Sequence, residues 1–237
     1  MPTSIPSERF AGQAAAQDIV EHEPFDALLK EYVDSNGQVA YGKLKANEKD
    51  LATLDAYIES LATSEFEGKR RARLAAYINA YNANVIRKVI NNYPTKSVMK
   101  LDKFFKTEDI KVGGKKMSLD SLENKIIRPK FKEPRIHFVL VCAAKSCPQL
   151  QRKALTSKNV YSVMERATKR FIPAATSVDG NTVKTSKLFE WFKQDFVDKE
   201  GSVEAYLAKY LPDHAEMLKA GEAKIETTNY DWALNDQ

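Results

Sequence analysis

The chain has 237 residues, 43% hydrophobic and 10% aromatic, enough to bury a core in one large domain or two small ones. No stretch approaches the roughly 20 apolar residues that span a bilayer, so no membrane span is expected. The net charge is +5 but unevenly spread: residues 96–170 hold 19 Lys and Arg against 7 Asp and Glu. A field of that sign attracts anions and favours thiolates, yet the chain shows no nucleic-acid-binding motif.

Residues 1–23 read as a loosely ordered acidic lead-in without the apolar core of an export signal. Residues 24–237 read as a single domain. Helical spacing runs from Phe25 to Val33, then Asn36-Gly37 signals a turn. Asn47 to Leu61 is a second helix with Leu51, Leu54, Ile58 and Leu61 on one stripe. Lys69 to Tyr93 is a long helix that ends before Pro94. Ile110 to Met117 forms a tight hairpin, and Ser118 caps a helix running to about Arg128.

The apolar run Ile136–Val141 reads as a buried strand carrying His137. It empties into a loop, and Cys147-Pro148 reads as a helix start, because proline suits the first helical position. Ser157 to Ile172 is a further capped helix. Ser177 to Val183 is a hairpin around Asp179-Gly180. Two short helices, Ser186–Phe196 and Ser202–Tyr210, and a last strand near Ala223–Thr227 complete the chain. The class is α+β, helix-rich, with a small, mostly antiparallel sheet.

Both cysteines, Cys142 and Cys147, fall in one segment with His137. A thiol at a helix N-terminus has a lowered pKa, so Cys147 is the candidate nucleophile and His137 the candidate base. Cys142 ends the buried strand and is expected to be inert. The cysteine spacing also permits a small-loop disulfide, and it does not match a structural zinc site, so no metal is expected. No cofactor is expected. In the long helix, Asn79 and Asn82 sit three apart on one face, with Tyr77 and Tyr81 on a neighbouring face. Amides there need partners. Either they pin a neighbouring loop or they contact substrate. Glu123 either orients a histidine, binds Arg135, or is a surface charge.

Taken together, these segments resemble the family catalogued as domain of unknown function 547. The matching pieces are Tyr41, Tyr77-Ile-Asn-Ala-Tyr-Asn-Ala83, Ser118-Leu-Asp-Ser-Leu-Glu123, Ile127-Arg-Pro129, Pro134-Arg-Ile-His-Phe138, Ser146-Cys-Pro148, Leu188-Phe-Glu-Trp-Phe192 with Asp195-Phe196, and Tyr230-Asp-Trp-Ala-Leu-Asn235. They occur in family order over roughly residues 25–235; Tyr77 stands where the family often has tryptophan. The resemblance implies one domain and no particular reaction. It implies a periplasmic or extracellular home. It places Asn79, Asn82, Glu123, Arg128, Arg135, His137, Cys147 and Trp232 in the family pattern.

The leading expectation is a cysteine-dependent hydrolase or acyl-transferase acting on a small molecule or peptide. Cys147 attacks, His137 serves as base, and Glu123 or an asparagine of the long helix orients it. Backbone N–H groups after Cys147 would stabilise an oxyanion, although Pro148 removes one donor. The layout resembles papain-like and transglutaminase-like enzymes with cysteine and histidine in reversed chain order. The alternative is a non-catalytic binding domain in which Arg128, Arg135 and nearby lysines hold an anionic ligand and the cysteines are bridged or structural.

Overall fold

The computed structural model describes residues 17–237; the first sixteen residues of the lead-in lie outside the described residues. His22, at the end of that lead-in, is buried, and its Nδ1 lies 2.8 Å from the Tyr57 hydroxyl. Helix α1 (Glu23–Tyr32) turns Phe25, Leu28, Leu29 and Tyr32 inward. Helices α2 (Tyr41–Ala46) and α3 (Glu48–Thr63) follow. Asn47 caps α3 by accepting the Asp50 N–H at 3.1 Å.

Helix α4 (Arg70–Asn91) is the centre of the fold. Its residues are buried on every face from Leu74 to Ile86, the pattern of a helix enclosed by others. Leu74, Ile78, Val89 and Ile90 are almost wholly enclosed, and each contributes about 1.5–3 kcal/mol of burial.

The next stretch begins with the antiparallel hairpin of β1 (Ile110–Val112) and β2 (Lys115–Met117). Ser118 caps α5 (Leu119–Ser121), accepting the Ser121 N–H at 3.0 Å. The expected single helix to Arg128 is interrupted. Leu122–Ile127 widens into a π-turn before α6 (Arg128–Phe131). Pro129 has no N–H to donate back along the helix, which accounts for the widening just ahead of it.

The expected strand Ile136–Val141 does not form. Pro134–Phe138 winds into a 3-10 turn, with the Glu133 side chain accepting the Arg135 N–H at 3.2 Å and Pro134 at its first position. The run is apolar because Ile136, Phe138, Val139, Leu140 and Val141 are buried, not because it belongs to a sheet. Its backbone is satisfied by a side chain. Asn82 donates its amide N–H to the Val139 carbonyl at 2.9 Å and accepts the Val141 N–H at 3.0 Å. Asn79 treats Leu155 in the same way, donating to its carbonyl at 2.8 Å and accepting its N–H at 3.1 Å. Each carboxamide thus takes the place of one rung of a strand.

The helix expected at Cys147-Pro148 does not form either. Residues 145–150 make a turn and an irregular segment. The turn is held by the C-terminal tail instead. Lys145 N–H donates to the Ala233 carbonyl at 2.8 Å, Ser146 N–H to Asp231 at 3.2 Å, and Asn235 N–H to Ala143 at 3.1 Å. Ala143 sits at a left-handed φ of 62°, a conformation that costs an alanine about 1–2 kcal/mol and that these bonds sustain.

Helix α7 (Val160–Ala174) starts after a turn in which Thr156 and Asn159 exchange bonds of 2.8 and 3.2 Å. Strands β3 (Ser177–Asp179) and β4 (Thr182–Thr185) pair antiparallel. The helical stretch after Ser186 is two pieces, α8 (Leu188–Trp191) and α9 (Lys193–Glu200), broken at Phe192. Helices α10 (Val203–Ala208) and α11 (Ala215–Lys219) lead to β5 (Lys224–Thr227), which pairs parallel to β4 with Val183 opposite Ile225. The fold is α+β, with two small sheets joined mostly antiparallel. No helix among the described residues is long and apolar enough to cross a membrane.

Replacing Asn82 with Ala leaves the Val139 carbonyl and Val141 N–H buried without partners. It should lower unfolding free energy by about 1–3 kcal/mol, measured from the denaturant midpoint. Equal stability of the two proteins would mean that water replaces the side chain.

Candidate functional site

One cavity of about 280 Å³ gathers most of the chemistry-bearing residues. Its lining includes Tyr81, Glu123, His137, Cys142, Cys147 and Tyr230. Helix α4 supplies Tyr81, the π-turn supplies Glu123, and the 3-10 turn supplies His137. The tail-clamped turn supplies the sulfurs, and the tail itself supplies Tyr230. Trp191 and Trp232 form its aromatic rim with Tyr230, at ring separations of 4.9, 5.9 and 4.7 Å. Trp191 is 43% exposed, large for an aromatic ring without an outside partner.

The two sulfurs are free thiols 2.7 Å apart, both half-buried. The Cys142 N–H donates to the Cys147 sulfur at 2.9 Å, and the Tyr230 hydroxyl lies 3.2 Å from the Cys142 sulfur. Burial pushes both thiols up. At Cys147 the Cys142 thiol, the Tyr230 hydroxyl and the N–H groups of Cys142 and Ala144 outweigh burial and hold the pKa below its ordinary value. At Cys142 burial, reinforced by the neighbouring Cys147, raises the pKa well above it. Of the two sulfurs Cys147 is therefore the more readily ionised, favoured by donors rather than by the helix dipole that the sequence suggests.

His137 is buried against Phe192, ring on ring at 3.9 Å. Its Nε2 lies 2.7 Å from Asp195 Oδ2. Its Nδ1 has no hydrogen-bond partner and stands 3.9 Å from Glu123 Oε1. Burial lowers the His137 pKa, and Asp195 only partly offsets that, so the imidazole is neutral near pH 7 with its proton on Nε2. The expected Cys147–His137 hydrogen bond is not formed. The orienting carboxylate at Nε2 is Asp195, not Glu123.

Glu123 is pushed up to about 7 by burial, against the opposing pull of the Tyr81 hydroxyl and Arg128. Asp195 moves the other way, to about 2: the His137 and Arg128 hydrogen bonds overcome its own burial. Arg128 grips Asp195 with two bonds, 2.7 and 3.0 Å, and Asn124 with a third at 2.7 Å.

The other residues singled out from the sequence lie elsewhere. Asn79 and Asn82 are engaged with backbone as described above. Tyr77 lines a separate cavity beside Phe66 and Lys130. Arg135 is bound to Glu133 at 2.6 and 2.8 Å and to Glu165 at 3.0 Å. Both arginines proposed to hold an anion are thus already paired with carboxylates. Lys106 is the one lysine or arginine on the lining of the 280 Å³ cavity, which Asp120 and Glu123 also line. Among the described residues no cluster of His, Cys, Asp and Glu has the makings of a metal site. Sequence reasoning did not assign Asp195 or Tyr230 to the site. Their signal was present in the family fragments Asp195-Phe196 and Tyr230-Asp-Trp.

A second cavity, about 670 Å³, shares Cys147 and Tyr230 with the first, and its further lining mixes polar groups such as Asn36, Gln38 and Lys184 with Phe171 and several alanines. Gly37 borders it at φ 78°, and a Cβ there would meet Gln149 Cα at 2.7 Å, so the turn can approach the cysteine loop only as glycine.

Residues 66–172 match the family model described as protein of unknown function, DUF547, the family that the ordered motifs resemble. Asp195, Tyr230 and the rim tryptophans lie beyond the matched stretch. No curated protein and no solved structure matches the chain.

A carboxyl that holds its proton more tightly folded than unfolded contributes stability at low pH and loses it as pH rises. For Glu123 that window runs from its ordinary 4.5 to about 7, a span equivalent to about 3 kcal/mol. Thermal melts of wild type and Glu123→Gln at about pH 4 and about pH 8 check this. The substitution should be more favourable at the higher pH, and parallel pH profiles would show an unperturbed carboxyl.

Proposed function

We propose that the chain is a cysteine-dependent hydrolase or acyl-transferase working in the 280 Å³ cavity. The observation that carries the reading is His137, oriented by Asp195 at 2.7 Å through Nε2, unpartnered at Nδ1, and lining the same cavity as Cys147. An oriented imidazole and a thiol of lowered pKa on the lining of one cavity are the groups that nucleophilic catalysis needs.

In this reading the Cys147 thiolate attacks the carbonyl carbon of a substrate seated against Tyr81 and the tryptophan rim. The carbon–sulfur bond forms and the carbonyl electrons move to oxygen. Collapse expels the leaving group, which takes a proton from Glu123, since the one proton of His137 is held at Nε2 by Asp195. Water, or an acceptor alcohol or amine, then releases the acyl group after giving up its proton to Glu123 or to His137. Glu123, titrating near 7, is protonated and deprotonated with comparable ease at neutral pH. Asp195, held ionised by Arg128, fixes the imidazole and does not itself carry the proton.

A panel of thioester, ester and peptide substrates, with an electrophilic thiol probe as a parallel readout, tests the proposal. Cys147→Ser should abolish turnover and labelling. His137→Ala should slow turnover about a hundredfold or more while Cys147 remains labelled, since the sulfur's stabilising donors do not include the imidazole. Turnover unchanged in either variant would overturn the assignment.

A further inference from the structure

The two sulfurs have a relationship that acyl transfer does not use. They lie 2.7 Å apart and unbonded, against about 2.05 Å in a disulfide. The turn that holds them is clamped by the tail at Ala143, Lys145 and Ser146, which keeps the two sulfurs close enough to join. The sulfurs are also unequal in access. Cys147 lines both cavities, whereas Cys142 lines the smaller one alone.

We propose that Cys147 and Cys142 form a redox-active dithiol that exchanges with a disulfide-bearing substrate, Cys147 attacking and Cys142 resolving. The inference goes beyond the acyl-transfer reading and does not depend on it, because exchange needs neither His137 nor Asp195. In the first step the Cys147 thiolate attacks one sulfur of the incoming disulfide. A mixed disulfide forms, the substrate S–S bond breaks, and the departing thiolate takes a proton from solvent. In the second step the Cys142 sulfur attacks the Cys147 sulfur. The Cys142–Cys147 bond forms, the mixed disulfide breaks, and the Cys142 proton passes to the second departing thiolate. The pair loses two electrons, and the substrate gains them as two thiols.

The division of labour follows from the surroundings. The attacking sulfur must reach an incoming molecule, and Cys147 faces cavities on two sides. The resolving sulfur must reach only its neighbour, and Cys142 is already within hydrogen-bond range of it. The Tyr230 hydroxyl at 3.2 Å can donate to the Cys142 sulfur as charge develops there.

The test uses the folded chain, oxidised glutathione as probe, an acid quench, and mass spectrometry of intact protein and peptides. Wild type should lose two hydrogens, gain no lasting adduct, and release two glutathione thiols per chain. Cys142→Ser should accumulate glutathione on Cys147, since nothing resolves it. Cys147→Ser should gain neither a bridge nor, within about ten times the wild-type reaction time, an adduct at Cys142. Cys142→Ala, with its fold checked by thermal melting, repeats the resolving arm if the serine variant does not fold. A lasting adduct on wild-type Cys147 would overturn the resolving role. Adduct formation on Cys142 as fast as on Cys147 would overturn the attacking role. Wild type that stays reduced while Cys147 still reacts with the electrophilic probe would overturn the exchange activity and leave the acyl-transfer reading untouched. Exchange in a chain that turns over no acyl substrate would do the reverse.

Discussion

The carboxamides of Asn79 and Asn82 are the contacts on which the arrangement of the site rests. A segment that runs through a helical core brings polar backbone into a place with no sheet to receive it, and each unmet group there costs about 1–3 kcal/mol. An asparagine carries an amide N–H and a carbonyl oxygen at nearly the spacing of a peptide unit. Asn82 meets residues 139 and 141, and Asn79 meets both polar groups of Leu155. One rigid helix thus fixes the chain just before Cys142 and just before α7. Tyr81, between the two amides in sequence, points to a different face and reaches the cavity. The same turn of helix anchors the loop with one side of its surface and furnishes the site with another.

The site is completed from outside the stretch that matches the family model. Asp195 comes from α9 and Tyr230 from the tail. These two supply what the matched segment cannot provide for itself. His137 is enclosed, and burial alone leaves its ring without orientation; Asp195, held by Arg128, supplies that. The cysteine turn includes an alanine at positive φ, and the tail bonds make that conformation the stable one. Domain packing and site chemistry are therefore the same contacts, and the chain order of the pieces matters less than the clamp that joins them.

Much of the fold was legible in the sequence because helices announce themselves by period and cap. The Asn47 and Ser118 caps, the Gly113-Gly114 and Asp179-Gly180 turns and the long α4 all follow local rules. Ile136–Val141 did not follow them. A short apolar run reports burial and cannot by itself distinguish a strand from an enclosed turn. What decided it was Pro134, which favours a helical start, and Asn82, more than fifty positions away in the chain. Cys147-Pro148 failed for a similar reason: proline suits the first turn of a helix but equally suits an irregular segment that lacks an N–H to satisfy. Cys147 and His137, paired in the sequence reading, line one cavity without the direct hydrogen bond expected, and their separate partners, Asp195 and Tyr230, are brought in by tertiary packing alone.

Two electrostatic systems share the cavity, and burial acts on them with opposite results. Burial opposes charge everywhere, so a buried ion persists only where donors or counter-charges exceed that cost. At Cys147 the donors exceed it, and the thiol ionises more readily than usual. At Asp195 two cationic or donating partners exceed it, and the charge stays on the carboxylate. At Glu123 they fall short, and the carboxyl retains its proton into the neutral range. His137, between the two carboxyls, remains neutral because Asp195 offsets only part of its desolvation. The site thus combines a thiol made more acidic than usual with a carboxyl made less so. Burial alone would have raised both groups; the donors around Cys147 are what set the two apart.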